Sequence, residues 1–116
     1  MIFQIHSDNN VRVSNGLSAF IKAEIDRDLK RFQRRLTRVE VFLGDSNGEK
    51  AGPQEKRCVM ETRPKGYQRV SVKVQAATLE TAVATAAKKM EKLLNSKLGR
   101  LADRRWATLD SLDTVS

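Results

Sequence analysis

RVEVFLGDSNGEKAGPQEKRCVMETRPKGYQRVSVKVQA, residues 38–76, is the stretch that decides the fold. In RVEVFLGD, Val39, Val41 and Leu43 alternate with Glu40 and Phe42, the period of a strand buried on one side. EKRCVMETR repeats the alternation, with Cys58, Met60 and Thr62 on one face and Arg57, Val59, Glu61 and Arg63 on the other. In YQRVSVKVQA, Val70, Val72 and Val74 alternate with Arg69, Ser71 and Lys73. DSNGEKAGP and Pro64-Lys65-Gly66 supply turn chemistry between the three runs, so the segment reads as an antiparallel meander.

Working outward, residues 2–6 (IFQIH) read as a further short strand, and SDNN with Ser14-Asn15-Gly16 punctuates the chain before a helix capped by Ser14 or Asn15. Leu17, Ile21, Ile25, Leu29, Phe32 and Leu36 recur at steps of three or four and predict that helix to about Arg35. A last helix is expected from near Thr78, with Leu79, Ala82, Val83, Ala86, Met90, Leu93, Leu94 and Leu101 on its apolar side and Gly99 marking its end or a break. The order is then β-α-β-β-β-α. A helical crossover between the first two strands demands parallel pairing and a right-handed connection. Both helices must cover one face of a four-stranded sheet, giving an α+β two-layer sandwich that resembles a double-stranded RNA-binding domain in outline. The other face keeps Glu40, Phe42, Arg57, Val59, Glu61, Arg63 and Lys73.

A chain of 116 residues holds one domain of ordinary size. It is expected to span 1–102, followed by a flexible tail, 103–116, in which Trp106 packs against its own domain. No apolar run is long enough to span a membrane, and the N-terminus carries no export signal, so cytoplasmic residence is the default expectation. One cysteine and one histidine allow neither an internal disulfide nor a zinc site, and no cofactor, metal or small-molecule substrate is expected.

Catalytic groups do not converge. His6 reads as a surface residue of a short strand, Cys58 as a buried thiol, and Asp26 and Asp28 point in different directions from one helix. GDSNGEKAG lacks the G-K-[ST] ending of a phosphate loop and joins two strands instead of opening a helix. The chain is read as a non-enzyme.

Charge carries the functional signal. The net charge is +8, and fourteen of the twenty-two lysines and arginines fall in residues 22–38 and 88–105, against five acidic residues. Arg27, Lys30, Arg31 and Arg34 fall opposite the apolar stripe of the first helix, and Lys88, Lys89, Lys92 and Arg100 lie across or beside the outer side of the second. A lysine-rich outer face is often merely solvated, but an imbalance of this size repels itself until a polyanion relieves it. Nucleic acid is the expected partner. With few aromatics on the open sheet, helix-to-phosphate contact with folded RNA is favoured over single-strand reading.

The motifs VEVFLGDSNG (39–48), GPQEKRCVMETR (52–63) and ATLETAVATAAKKMEKLL (77–94) resemble the ribosome hibernation promoting factor and ribosome-associated inhibitor family, also called sigma-54 modulation proteins. The resemblance runs from the first strand to about Leu101. It implies the same fold and a translation inhibitor that binds the small ribosomal subunit where messenger RNA and transfer RNA would lie. Lys89 and Lys92 look like the family's second-helix contacts with ribosomal RNA. Ser96 stands where a basic residue is often found, and Lys97 and Arg100 are the candidate substitutes. Lys22, Arg27, Lys30, Arg31 and Arg34 carry over as a face. The resemblance also implies a stress or stationary-phase role, a free monomer, and a short form lacking a C-terminal dimerisation domain. Two rival readings are a stand-alone double-stranded RNA module, which would lack the strand at 2–6, and a protein-interaction regulator of transcription.

Overall fold

The computed structural model describes residues 1–9, 11–45 and 56–115, with side chains described through Gly99. The elements are β1 (Ile2–Ser7), α1 (Asn15–Leu29), a 3-10 segment (Lys30–Arg35), β2 (Leu36–Asp45), β3 (Lys56–Pro64), β4 (Val70–Ala76) and α2 (Leu79–Val115). The linker between β2 and β3, including its 46–53 portion and Glu55, lies outside the described residues.

The four strands pair in sequence order, β1-β2-β3-β4. β1 runs parallel to β2, with Phe3 opposite Val39 and Ile5 opposite Val41. β2, β3 and β4 form the antiparallel meander, in registers that set Val41 opposite Met60 and Met60 opposite Val72. Because side chains alternate faces, these registers gather Val39, Val41, Leu43, Cys58, Met60, Val70, Val72 and Val74 on one side, all of them buried. α1 contributes Leu17, Ile21, Ile25 and Leu29 to the same core, and α2 contributes Ala82, Val83, Ala86, Ala87, Met90, Leu94 and Leu98. Each large side chain so buried contributes about 1.5–3 kcal/mol. Thr62 sits in this apolar layer with its hydroxyl 3.5 Å from the Met90 sulfur.

Local chemistry fixes the helix starts. The Ser14 hydroxyl accepts from Leu17 N at 3.1 Å, and the Thr78 hydroxyl accepts from Thr81 N at 3.1 Å, each satisfying one of the N–H groups left without an intrahelical partner. At Gly44 the Arg57 and Asp8 side chains lie over the β2 backbone. A β-carbon there would lie 2.7 Å from Arg57 Nη2 and 2.8 Å from Asp8 Oδ2.

Two boundaries differ from the sequence expectation. The first helix does not stay α-helical to Arg35 but tightens at Lys30 into a 3-10 segment. A three-residue period carries the buried line on from Leu29 to Phe32, and Leu36 then enters β2 directly. α2 does not end at Gly99 but continues to Val115, a helix of 37 residues and about 55 Å. Gly99 has a helical backbone rather than the positive φ of a C-terminal cap, and a β-carbon there would meet no atom within 4 Å. Helix formers such as Ala102, Arg104, Arg105, Ala107 and Leu109 carry the backbone onward. The long axis of the molecule, 66 Å, follows from this helix. The Trp106 side chain lies outside those described.

Burial pushes the Cys58 thiol up to about 12. The native state therefore holds this proton over a range where the unfolded chain, titrating near ~8.5, releases it. The contribution to stability is complete below about pH 8.5 and falls as pH rises toward 12, by up to about 1.4 kcal/mol per pH unit. Urea midpoints measured from pH 8 to pH 11 should drop less steeply for Cys58→Ala than for the parent chain. Parallel slopes for the two proteins would contradict the burial argument.

Candidate nucleic-acid interface

α1 and α2 lie side by side on the buried face of the sheet, so the basic windows meet across one seam. On α2 the direction of each side chain follows from the inward-facing Met90 and the ~100° step per residue. Glu91 and Asn95 turn toward α1. Lys88 and Lys92 point outward, and Lys89 occupies the flank opposite Glu91. All three lysines are exposed and form no ion pair among the described residues. Lys97, seven residues beyond Met90, points nearly the same way and is half-buried. Ser96 is exposed. The Arg100 side chain lies outside those described.

On the other side of the seam the predicted cations divide into two groups. Lys22, Lys30 and Arg34 are exposed and without carboxylate partners among the described residues. Arg27 and Arg31 are engaged within the protein. Arg27 donates from Nε to Asp28 Oδ1 at 3.1 Å and from Nη2 to Glu24 Oε2. Asp28, by hydrogen bond and charge, raises the Arg27 pKa, with smaller contributions from Glu24 and Glu91. Glu24 and Asp28 are 8% and 6% exposed, and Asp28 Oδ2 has no hydrogen-bond partner among the described residues. A carboxylate so buried is costly unless a cation stands beside it, and Arg27 is that cation. Arg31 reaches across the seam to donate to Asn95 Oδ1, with its guanidinium 5.1 Å from the Phe32 ring centre.

The helical period placed all four of Arg27, Lys30, Arg31 and Arg34 on one outward face. The structure brings them together but gives them different work, because the pattern shows which way a residue points and not which carboxylate it finds. Lys22, Lys30, Arg34, Lys88, Lys89 and Lys92 remain as cations open to a polyanion.

The sequence windows miss a further basic group. Lys65 N donates to Arg35 O at 2.7 Å, which sets the β3–β4 turn, with Arg63, Lys65 and Arg69, beside the end of the 3-10 segment. The signal was present in the run R-P-K-G-Y-Q-R, but only pairing across the sheet joins it to Arg35. On the open sheet face, His6 stacks on Phe42 with ring centres 4.7 Å apart and planes 15° apart, and its Nε2 lies 3.5 Å from Glu40 Oε1. Arg38 approaches the same carboxylate at 3.4 Å. His6 is therefore the surface strand residue expected, with an aromatic partner. Cys58 is fully buried.

Residues 3–102 match the family described as Sigma 54 modulation protein / S30EA ribosomal protein. The chain belongs to that family. No curated protein sequence matches it. Among solved structures it is similar to a ribosomal subunit interface protein from Coxiella burnetii, at 12% identity and a TM-score of 0.71, covering 85% of this chain and 99% of that one. It is also similar to the N-terminal domain of Protein Y from Thermus thermophilus, at 18% identity and a TM-score of 0.66, covering 82% of this chain and 96% of the other. At those identities the likeness establishes the β-α-β-β-β-α fold, while membership places the chain among ribosome-associated proteins. Among the described residues no helix is long and apolar enough to cross a membrane, and no group of His, Cys, Asp and Glu could hold a metal ion.

The division of the cations is testable. Arg27→Gln leaves Glu24 and Asp28 buried without their counter-charge and should lower the urea midpoint clearly, whereas Lys30→Gln should leave it unchanged within error. Equal midpoints for the two variants would show that Arg27 is an ordinary surface cation.

Proposed function

We propose that this protein is a ribosome-associated inhibitor of translation that binds the small ribosomal subunit in the decoding channel and excludes messenger RNA and transfer RNA. The observation that carries the reading is the surface formed by Lys22, Lys30, Arg34, Lys88, Lys89 and Lys92. These six exposed cations, on α1, its 3-10 extension and α2, have no carboxylate partner among the described residues. Membership of the S30EA family supplies the ribosome as the source of the polyanion.

The proposed mechanism is occupancy, without bond making or breaking. Phosphates of ribosomal RNA take the place of counterions around the helical lysines, and the released ions supply much of the free energy of binding. The sheet behind the helices keeps both cationic surfaces in fixed relation, so little backbone order has to be gained on docking. Lys97 lies on the inner side of α2 and is not part of this face. The free protein is a monomer, needs no cofactor or metal, and acts in the cytoplasm when translation is shut down under stress or in stationary phase. Residues 103–116 lie beyond the ribosome-binding domain proper.

Lys89→Glu with Lys92→Glu should weaken binding to isolated small subunits without lowering the thermal midpoint, since both side chains are exposed. In the parent the logarithm of affinity should fall with the logarithm of salt by ~0.7–0.9 for each phosphate contact, and the double variant should show a shallower slope. Sedimentation with purified subunits measures the binding, and cell-free translation measures the consequence. A double variant that inhibits translation as strongly as the parent would remove α2 from the interface.

A further inference from the structure

The turn between β3 and β4 makes a basic corner outside both helical windows. Gly66 provides its sharpest point, with φ of +68°, and Tyr67 N donates to Pro64 O at 3.3 Å to close it. Arg63 and Arg69 leave the two strands on either side of Lys65, and all three are exposed. They line an open cleft of about 570 Å³ together with Thr37 and Tyr67. Tyr67 is half-buried, packing against the core while it lines this cleft.

Two contacts lock the corner, one to the end of the 3-10 segment and one to β2. Lys65 N donates to Arg35 O at 2.7 Å, and the Thr37 hydroxyl donates to Arg63 O at 2.9 Å. The turn is thus held at the end of the 3-10 segment, next to Arg34 and Arg35. Among the described residues Arg69 pairs with the half-buried Glu61, its Nη1 3.8 Å from Oε2, a long separation that holds the arginine weakly. Arg63 and Lys65 have no carboxylate partner among the described residues. Concentrated positive charge beside a partly exposed aromatic ring is thereby fixed in place by the backbone.

We propose that this corner is a second RNA contact, in which Arg63, Lys65 and Arg69 hold consecutive phosphates and Tyr67 packs against a base or ribose. This rests on the reading of the partner as RNA and extends it from the helices around the edge of the sheet. The chemistry fits a nucleic-acid strand: the arginine fork pairs bidentately with phosphate, and the ring offers a surface that every base can use. An acidic peptide would satisfy the cations but leave the ring without a counterpart. Continuity with Arg34 lets one RNA element meet both surfaces.

The experiment compares three full-length proteins: the parent, the corner variant Lys65→Gln with Arg69→Gln, and the helix variant Lys89→Gln with Lys92→Gln. Affinity for isolated small subunits is measured across a salt series, and each protein is titrated with a short single-stranded RNA while backbone amide signals are followed. The corner variant should bind subunits about tenfold more weakly and lose ~1.4–1.8 from its salt slope, as expected for two phosphate contacts. RNA should move the amide signals of residues 63–69 in the parent and not in the corner variant. If the helix variant is weakened while the corner variant matches the parent in affinity, slope and signal shifts, the corner proposal is wrong and the ribosome reading stands. If the parent fails to bind subunits, the ribosome reading is wrong. The corner is then judged by the oligonucleotide alone, and unmoved signals at 63–69 overturn it. A poly-glutamate peptide that moves those signals as strongly as RNA also overturns it.

Discussion

Parallel pairing between β1 and β2 is the constraint from which the remaining architecture follows. Two parallel neighbours cannot be joined by a hairpin, so the chain must leave the sheet, cross one face and return to the starting end. α1 with its 3-10 extension is that crossing, and its handedness selects the face it covers. Once α1 lies there, the buried sides of β2, β3 and β4 are fixed, because a register shift of one residue would send Val39, Val41 and Met60 to solvent. α2 then has one apolar surface left to complete, beside α1. The adjacency of the two basic windows is thus a consequence of strand pairing rather than of any attraction between them.

Bringing two cationic helices together has an electrostatic cost that the seam offsets. Glu24 and Asp28 are buried on the inner side of α1, and Glu91 turns toward α1 from α2, so negative charge lies between the helices while lysines face outward. Arg27 neutralises the buried carboxylates, and Arg31 spans the gap to Asn95. The outward lysines on both helices are left without local carboxylates, which is the state in which they can exchange counterions for phosphates. On the proposed reading, stability and binding draw on different subsets of the same charge windows.

Most of the fold was legible because it depends on period. Alternation in β2, β3 and β4 and the step of three to four in the helices each have one dominant local cause, while the choice of Ser14 over Asn15 as the first cap is made by the hydrogen bond to Leu17 N. The departures occur where the cause is not local. The 3-10 segment arises because Phe32 must reach the core just before Leu36 starts β2, a requirement of the layer and not of the sequence around Lys30. Gly99 signals a helix end by propensity alone, yet neighbouring residues favour helix strongly enough to override its cost of about 1 kcal/mol. At the site, outward direction was readable from the wheel, but the pairing of Arg27 with two buried acids was not. Arg63, Lys65 and Arg69 form a run in the sequence, but their neighbour Arg35 comes from the end of the 3-10 segment and is joined to them only by the fold.

The distribution of arginine and lysine across these surfaces follows from their chemistry. Arginine occupies the seam, where Arg27 makes separate hydrogen bonds to two carboxylates and Arg31 packs by Phe32 while reaching Asn95. A planar fork with several fixed donors suits such positions, and a lysine could not make both Arg27 bonds from one side. The outer side of α2 carries Lys88, Lys89 and Lys92 instead, each a strongly hydrated point charge on a flexible stem. Contacts of that kind are individually weak and tolerant of geometry, so affinity arises from their number and falls steeply with salt. On the proposed reading, that combination suits reversible docking on RNA: a rigid frame held by directional arginine bonds, and a binding surface whose separate attachments can be released one at a time.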